Sequence, residues 1–309
     1  MAFADDIYLL YFGMEKYQNP DTPMFSRIIS GVWRWGKLPA ASWRNLISRA
    51  IDCGITTFDH ADIYGDYGCE ARFGEVLREQ PALRNKIQLV TKCGIKLVSP
   101  ARPEHRIKHY DTSAKHIVSS VENSLRQLAT DYVDLLLLHR PDPLMNPEEV
   151  AGAFAQLKRQ GKVLHFGVSN FSAAQLEMLQ SYLDVPLITN QIELSLFRHH
   201  ALFDGSVDVL MKRRLFVMAW SPLGGGKFFT SPETVKTTAD MLHGLSEKYQ
   251  CTESQLLLAW LLCHPAPVYP IVGTTQPERL AEAGGALAVQ LDRQDWFAML
   301  KAVTGKDVP

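Results

Sequence analysis

Two residues in the stretch 51–65, IDCGITTFDHADIYG, carry groups suited to acid–base chemistry on a rigid support. Asp59 follows directly on an apolar, β-branched run, and Tyr64 stands just before Gly65. A carboxylate at a strand end can orient a charged neighbour, and a phenol on the loop beyond it can give up a proton. Each residue alone also suits an ordinary role, Asp59 as a helix cap and Tyr64 as a ring packed on a rim. Chemistry needs partners, and partners need elements that bring distant positions together.

Those elements are readable as an alternation. Apolar runs at 27–35, 55–58, 86–91, 132–138, 163–168, 186–190, 215–219 and 268–272 read as eight strands. The run at 132–138, YVDLLLL, is apolar almost throughout, as a parallel strand covered on both faces requires. Between the runs, Trp43, Leu46, Ile47, Ala50 and Ile51 recur at helical spacing until Gly54. Ala114, Ile117, Val118, Val121, Leu125 and Leu128 mark another helical face. Asn146 and Pro147 start a helix that ends at Gly161, Ser172 caps a short one, and Thr252 with Gln255 forms a capping box. The segment 93–110 reads as a long loop, and the tail after Asp292 as one helix with no long lid. This alternation predicts an α/β fold, a (β/α)8 TIM barrel forming a single domain over 1–309. Residues 1–25 read as an N-terminal hairpin or extension. An open doubly wound sheet would want G-x-G-x-x-G after the first strand, and the chain has none.

In a barrel the C-terminal strand ends converge on one mouth. Asp59, Lys92, His139, Ser169, Gln191, Trp220 and Gly273 each close one of the predicted strands. A polar residue closing one strand is commonplace. Their occurrence at so many ends converging on one mouth predicts a site.

Composition narrows the function. The chain has 309 residues, 46% of them hydrophobic, and a formal net charge of -1. That balance offers nothing to nucleic acid or to an anionic membrane, and no apolar run is long enough to span a bilayer. The five cysteines (Cys53, Cys69, Cys93, Cys251, Cys263) show no C-x-x-C spacing and read as reduced thiols in a cytoplasmic protein, with no metal site. Cys93, beside Lys92, is a candidate for oxidation.

The segments FDHADIYG, TKCG, LLLLHRPD, GVSNF, NQIELS, AWSPLGGG and PIVGTTQPERL occur in the order and spacing of the aldo/keto reductase family, and the chain resembles its bacterial oxidoreductase branch over roughly residues 27–290. The resemblance implies a reductase that uses a nicotinamide cofactor on a small carbonyl substrate, as a monomer or weak homo-oligomer. It also implies a catalytic set of Asp59, Tyr64, Lys92 and His139. Hydride addition to a carbonyl develops negative charge on oxygen, which a positioned acid must neutralise. A free phenol has a pKa near 10, and an ammonium about 4 Å away at an effective dielectric of ~20 favours the phenolate by roughly 4 kcal/mol. Tyr64 is therefore expected to titrate about 3 units lower beside Lys92. Asp59 is expected to hold Lys92 charged, and His139 to position the carbonyl.

The same resemblance assigns cofactor contacts. Ser169, Asn170 and Gln191 correspond to groups that hold the nicotinamide carboxamide, and Trp220 stands where a ring stacks on the nicotinamide. Ser221, Leu223, Gly224, Gly225 and Gly226 correspond to the loop over the pyrophosphate. Gly273, Thr274, Thr275 and Gln276 precede a helix start, a ready phosphate site, and Arg279 matches an arginine for the adenosine 2′-phosphate. Gly31, Val32, Trp33, Asp59 and Glu282 complete the expected set. Thr275 stands where a basic residue is common, and Ala283 where an asparagine is common; Arg279 still places NADPH ahead of NADH. His60 replaces a common threonine.

Trp33, Tyr64, His139 and Arg140 are expected to frame the substrate, beside a loop carrying Lys96, Arg102, His105, Arg106, Lys108 and His109. That basic run is compatible with a carbonyl bearing an acidic group and with plain solvated charge. Two other functions stay open: a nucleotide-binding regulatory subunit, since the family also supplies channel-associated subunits, and a Schiff-base lyase using Lys92.

Overall fold

The computed structural model describes residues 25–229 and 236–308. Eight parallel strands close into a barrel: β1 (Ile29–Gly31), β2 (Thr57–Asp59), β3 (Gln88–Cys93), β4 (Val133–Leu138), β5 (Val163–Ser169), β6 (Leu187–Glu193), β7 (Phe216–Trp220) and β8 (Val268–Val272). Neighbours run β1-β8-β7-β6-β5-β4-β3-β2 around the ring, so β1 meets both β2 and β8. The predicted TIM barrel is the architecture found.

Burial explains why the strands read as apolar runs. Leu135 and Leu137 of β4 point into the barrel with Val90, Met218 and Ile271, while Leu136 and Leu138 pack outward against the helices. Each such side chain contributes roughly 1.5–3 kcal/mol when removed from water. Helix α1 (Ala40–Asp52) buries Trp43, Leu46, Ile47 and Ala50, the face marked by their spacing. The helices Cys69–Glu79, Ala114–Leu128 and Pro147–Arg159 follow β2, β3 and β4. Asn146 caps the last of these by accepting from the Glu148 amide. Both expected caps are present, and Ser172 and Thr252 each form a reciprocal capping box.

The structure adjusts several boundaries. The first strand is shorter than 27–35, because the chain turns into a 3-10 helix at Trp33–Lys37. Asp59, Lys92, Ser169, Gln191 and Trp220 lie within the last turns of their strands rather than just beyond them. The segment 93–110 is not all loop. Ile95–Lys96 pairs antiparallel with His109–Tyr110, a ribbon whose two-residue arms are too short to show a period. The expected N-terminal hairpin lies outside the described residues, except for Phe25, whose ring packs on Phe216 at 5.5 Å.

Candidate active site

β2 places Asp59 between Gly31 of β1 and Val90 of β3 in register. Beyond the strand the backbone stays tied to β3, with the His60 amide donating to Val90 and the Asp62 amide to Lys92. The chain then reverses, and Gly65, Asp66 and Tyr67 all take left-handed φ angles of 59°, 56° and 66°. A Cβ at Gly65 would meet the Cys69 sulfur at 2.6 Å, so glycine is required for space as well as for conformation. This turn presents the Tyr64 phenol to the barrel mouth.

There the expected partners meet. The Lys92 ammonium donates to Asp59 Oδ2 at 2.7 Å, to the His60 carbonyl at 2.7 Å and to the Tyr64 hydroxyl at 3.0 Å. Gln191 Nε2 donates to the other Asp59 oxygen at 2.8 Å, so both carboxylate oxygens are fixed. The Tyr64 and His139 rings meet edge to face at 5.9 Å.

Electrostatics correct one expectation. Burial pushes the Tyr64 phenol up, and the opposing pull of Lys92 does not overcome it, so the phenol titrates above its ordinary value rather than below. Burial would lower Lys92, but Asp59 and Tyr64 outweigh it and hold the ammonium above its usual range. His139 is held well below the usual imidazole range, first by burial and then by Lys92, Arg140 and Lys108. The resting site therefore holds a neutral phenol, a charged lysine and a neutral imidazole. Cys93 is buried and its thiol is pushed up, which runs against the expected reactivity. Lys92 is wholly buried and spends its protons on three acceptors, an environment opposed to a Schiff-base nucleophile.

Tyr64 opens on a cavity of about 1510 Å³. Of the cofactor residues expected from sequence, Gly31, Trp33, Asp59, Ser169, Asn170, Gln191, Trp220, Ser221, Leu223, Gly224, Gly225, Gly273, Thr274, Arg279 and Glu282 line it. Val32 does not, because its side chain is buried in the core outside the barrel. Thr275 and Gln276 are exposed and are not among the lining residues, and the Gln276 amide donates to the Thr274 hydroxyl in a turn. All four expected substrate residues, Trp33, Tyr64, His139 and Arg140, are on its wall. Sequence reading missed Ile95, Glu193, Phe197 and Arg198, and treated Lys108 as one charge in a run. It also missed Ala302 and Val303 of the C-terminal helix Arg293–Thr304, so the tail contributes wall.

The wall suits a dinucleotide. Asn170 Nδ2 donates to Ser169 Oγ at 2.7 Å, and Trp220 Nε1 donates to Asn170 Oδ1 at 3.0 Å, which fixes the indole plane. Gln191 keeps its Oε1 to accept from an amide. Gly224, Gly225 and Gly226 all have left-handed φ, and a Cβ at Gly224 would strike Phe197 at 2.8 Å. A Cβ at Gly273 would meet nothing within 4 Å, leaving bare backbone toward the cavity just before helix Pro277–Gly285. Arg34 donates to the Gly225 carbonyl and Trp35 Nε1 to the Thr274 carbonyl, tying both loops to the segment after β1.

A model of the Aldo/keto reductase family matches residues 27–303. The chain is 49% identical over 302 residues to the uncharacterized oxidoreductase YcsN of Bacillus subtilis, covering 96% of this chain and 100% of that protein. It is 43% identical over 298 residues to a 6-dehydroglucose reductase of Agrobacterium fabrum, covering 96% of this chain and 100% of that one. Among solved structures, the thermostable aldo-keto reductase Tm1743, in complex with the inhibitor epalrestat, shares 26% identity at a TM-score of 0.77, covering 89% of this chain and 94% of that one.

Proposed function

The chain belongs to the aldo/keto reductase family and is an NAD(P)H-dependent oxidoreductase acting on carbonyl groups, and from that premise we propose that it reduces aldehydes and ketones with NADPH, Tyr64 supplying the proton. The observation that carries this reading is the Lys92 ammonium donating to the Tyr64 oxygen at 3.0 Å while Asp59 holds it from behind. Because lysine occupies a lone pair of the phenol oxygen, the phenol's own hydrogen is left for the cavity.

Ser169, Asn170 and Gln191 would hold a nicotinamide beside Trp220, and that group, when bound, would supply the hydride. The protein's residues handle the charge that follows. As the carbonyl oxygen becomes an alkoxide, the neutral Tyr64 gives it a proton, and the phenolate left behind lies 3.0 Å from the ammonium. At an effective dielectric of ~20 that attraction is about 5 kcal/mol, available only once the phenolate forms. Burial thus keeps the proton on Tyr64 at rest, and Lys92 makes its departure tolerable. His139, neutral, offers an N–H to the carbonyl oxygen and fixes its approach. Arg279, exposed on the cavity wall, is the residue for an adenosine 2′-phosphate, the basis for preferring NADPH.

The test follows reduced-nicotinamide absorbance with a panel of aldehydes and ketones, a sugar aldehyde among them because a relative bears the name 6-dehydroglucose reductase. Wild type is expected to turn over members of the panel, and Tyr64→Phe to lose about 10²–10⁴-fold of that rate. Equal slow rates in both proteins would reject the catalytic reading in favour of a nucleotide-binding regulatory subunit.

A further inference from the structure

Two cations beside His139 have no part in the proton transfer. Arg140, its chain neighbour just beyond β4, and Lys108, from the segment after β3, line the same cavity as Tyr64 and His139. Both lie near enough to act on the His139 imidazole. Neither side chain forms a hydrogen bond or ion pair with a described residue. The Arg140 guanidinium rests only 5.8 Å from the centre of the Trp220 ring. It is half-buried on the bend two residues beyond β4, an environment that favours pairing with an anion.

The carboxylates on this wall do not supply that anion. Asp59 is taken by Lys92 and Gln191, and Glu282 accepts from Thr252 on the far side. Glu193, at the end of β6, also lines the cavity, so the cations exceed the free carboxylate by one before Arg198 is counted. The dinucleotide phosphates do not supply it either. Around the ring, β4 lies opposite β8, whose following loop leads to Arg279. An anion at Arg140 therefore belongs to the other molecule in the cavity.

We propose that the substrate carries an acidic group, a carboxylate or a phosphate, within a few bonds of its carbonyl, and that Arg140 and Lys108 hold it. This deepens the reductase reading of the site and rests on it. A planar guanidinium receives either oxyanion through two parallel N–H bonds, and Lys108 adds a mobile point charge. Such a group also turns the carbonyl toward His139, because the anchor and the carbonyl contact are consecutive residues of the bend that follows β4.

The test uses the full chain with saturating NADPH and two matched pairs: butyraldehyde against succinic semialdehyde for the carboxylate, and glyceraldehyde against glyceraldehyde 3-phosphate for the phosphate. The anionic member of at least one pair is expected to show kcat/KM about tenfold or more above its neutral partner, the size of one charge-assisted contact. The responding pair identifies the acid. That ratio should shrink as salt rises from about 0.02 to about 0.5 M, and fall toward one in Arg140→Met and Lys108→Met. Ratios near one in wild type overturn the proposal without any variant having to fold, and a preference that survives both substitutions overturns it as well. Turnover of neutral aldehydes alone leaves the reductase standing and removes the anion. Oxidation of NADPH by no aldehyde removes the reductase reading and the anion site together.

Discussion

The ammonium nitrogen of Lys92 lies 3.0 Å from the phenol oxygen of Tyr64, and 2.7 Å from Asp59 on its other side. A buried cation is thus shared between an anion that holds it and a neutral phenol, which in the proposed mechanism becomes an anion only during reaction. Removing the phenol hydroxyl in Tyr64→Phe takes away the acid while leaving the ring. The expected result is a rate lower by about 10²–10⁴-fold, with dinucleotide affinity unchanged within about threefold by quenching of the protein's tryptophan fluorescence. A comparable loss of dinucleotide affinity would place Tyr64 in binding rather than in chemistry.

Lys92→Met should act on stability as well as rate. It leaves Asp59, 3% exposed, as a buried carboxylate bonded only through Gln191. Breaking a buried pair in this way costs about 3–5 kcal/mol. Chemical denaturation should show that loss, and Asp59→Asn combined with Lys92→Met should recover part of it. A single variant as stable as wild type would show that the pair contributes little.

The pH dependence of reduction should lack a histidine step. Burial, Lys92, Arg140 and Lys108 hold His139 well below the ordinary imidazole value of 6.5, so the ring stays neutral across that value. Tyr64 is raised from 10.0, so the acid form persists through the neutral and mildly alkaline range. The expected kcat profile passes through pH 6.5 without inflection and falls only above the ordinary phenol range. Alcohol oxidation, which needs the phenolate as base, should instead climb with pH. A step near pH 6.5 that vanishes in His139→Gln would refute the neutral imidazole.

Glu70 offers a separate test of burial. It is 3% exposed, and burial raises its carboxyl from 4.5 to about 7, with hydrogen bonds from Thr91 and Ser124 pulling the other way. The folded chain therefore holds this proton between pH 4.5 and about 7, where the unfolded chain has released it. Its contribution is present below the unfolded value and is lost as pH rises through about 7. A shift of that size corresponds to about 3 kcal/mol. Glu70→Gln keeps the oxygen that accepts from Thr91, so its Tm relative to wild type should rise between pH 5 and pH 8. A Tm difference independent of pH would contradict the raised carboxyl.

Cofactor choice should rest on Arg279, which sits on the cavity wall two residues into a helix that begins at Pro277. Arg279→Ala is expected to raise KM for NADPH about 10–100-fold and to change that for NADH little, since only the first carries the 2′-phosphate. Equal losses with both would move the phosphate elsewhere.

Much of the barrel was legible in the chain. Continuous apolar runs such as 132–138 mark strands buried on two faces, and the caps at Ser172 and Thr252 are local chemistry. The ribbon of Ile95–Lys96 and His109–Tyr110 was not legible, because two residues per arm leave no pattern. Nor was the run of left-handed residues after Tyr64, since Asp66 and Tyr67 carry no sign of it. Thr275 and Gln276 resembled phosphate contacts by position; both are exposed, and the Gln276 amide donates to the Thr274 hydroxyl, a local turn that residue type alone does not announce.

The order of residue types along the chain determined the strands, the helices and which side chains would stand at the strand ends, because periodicity and capping act over a few neighbours. Only the closed barrel decided how deeply those side chains lie. Charge attraction and desolvation depend on distance and on water, and separation along the chain specifies neither. Lys92 and Tyr64 are 28 positions apart in sequence and 3.0 Å apart in space, and burial at that point raises the phenol that its neighbour alone would lower.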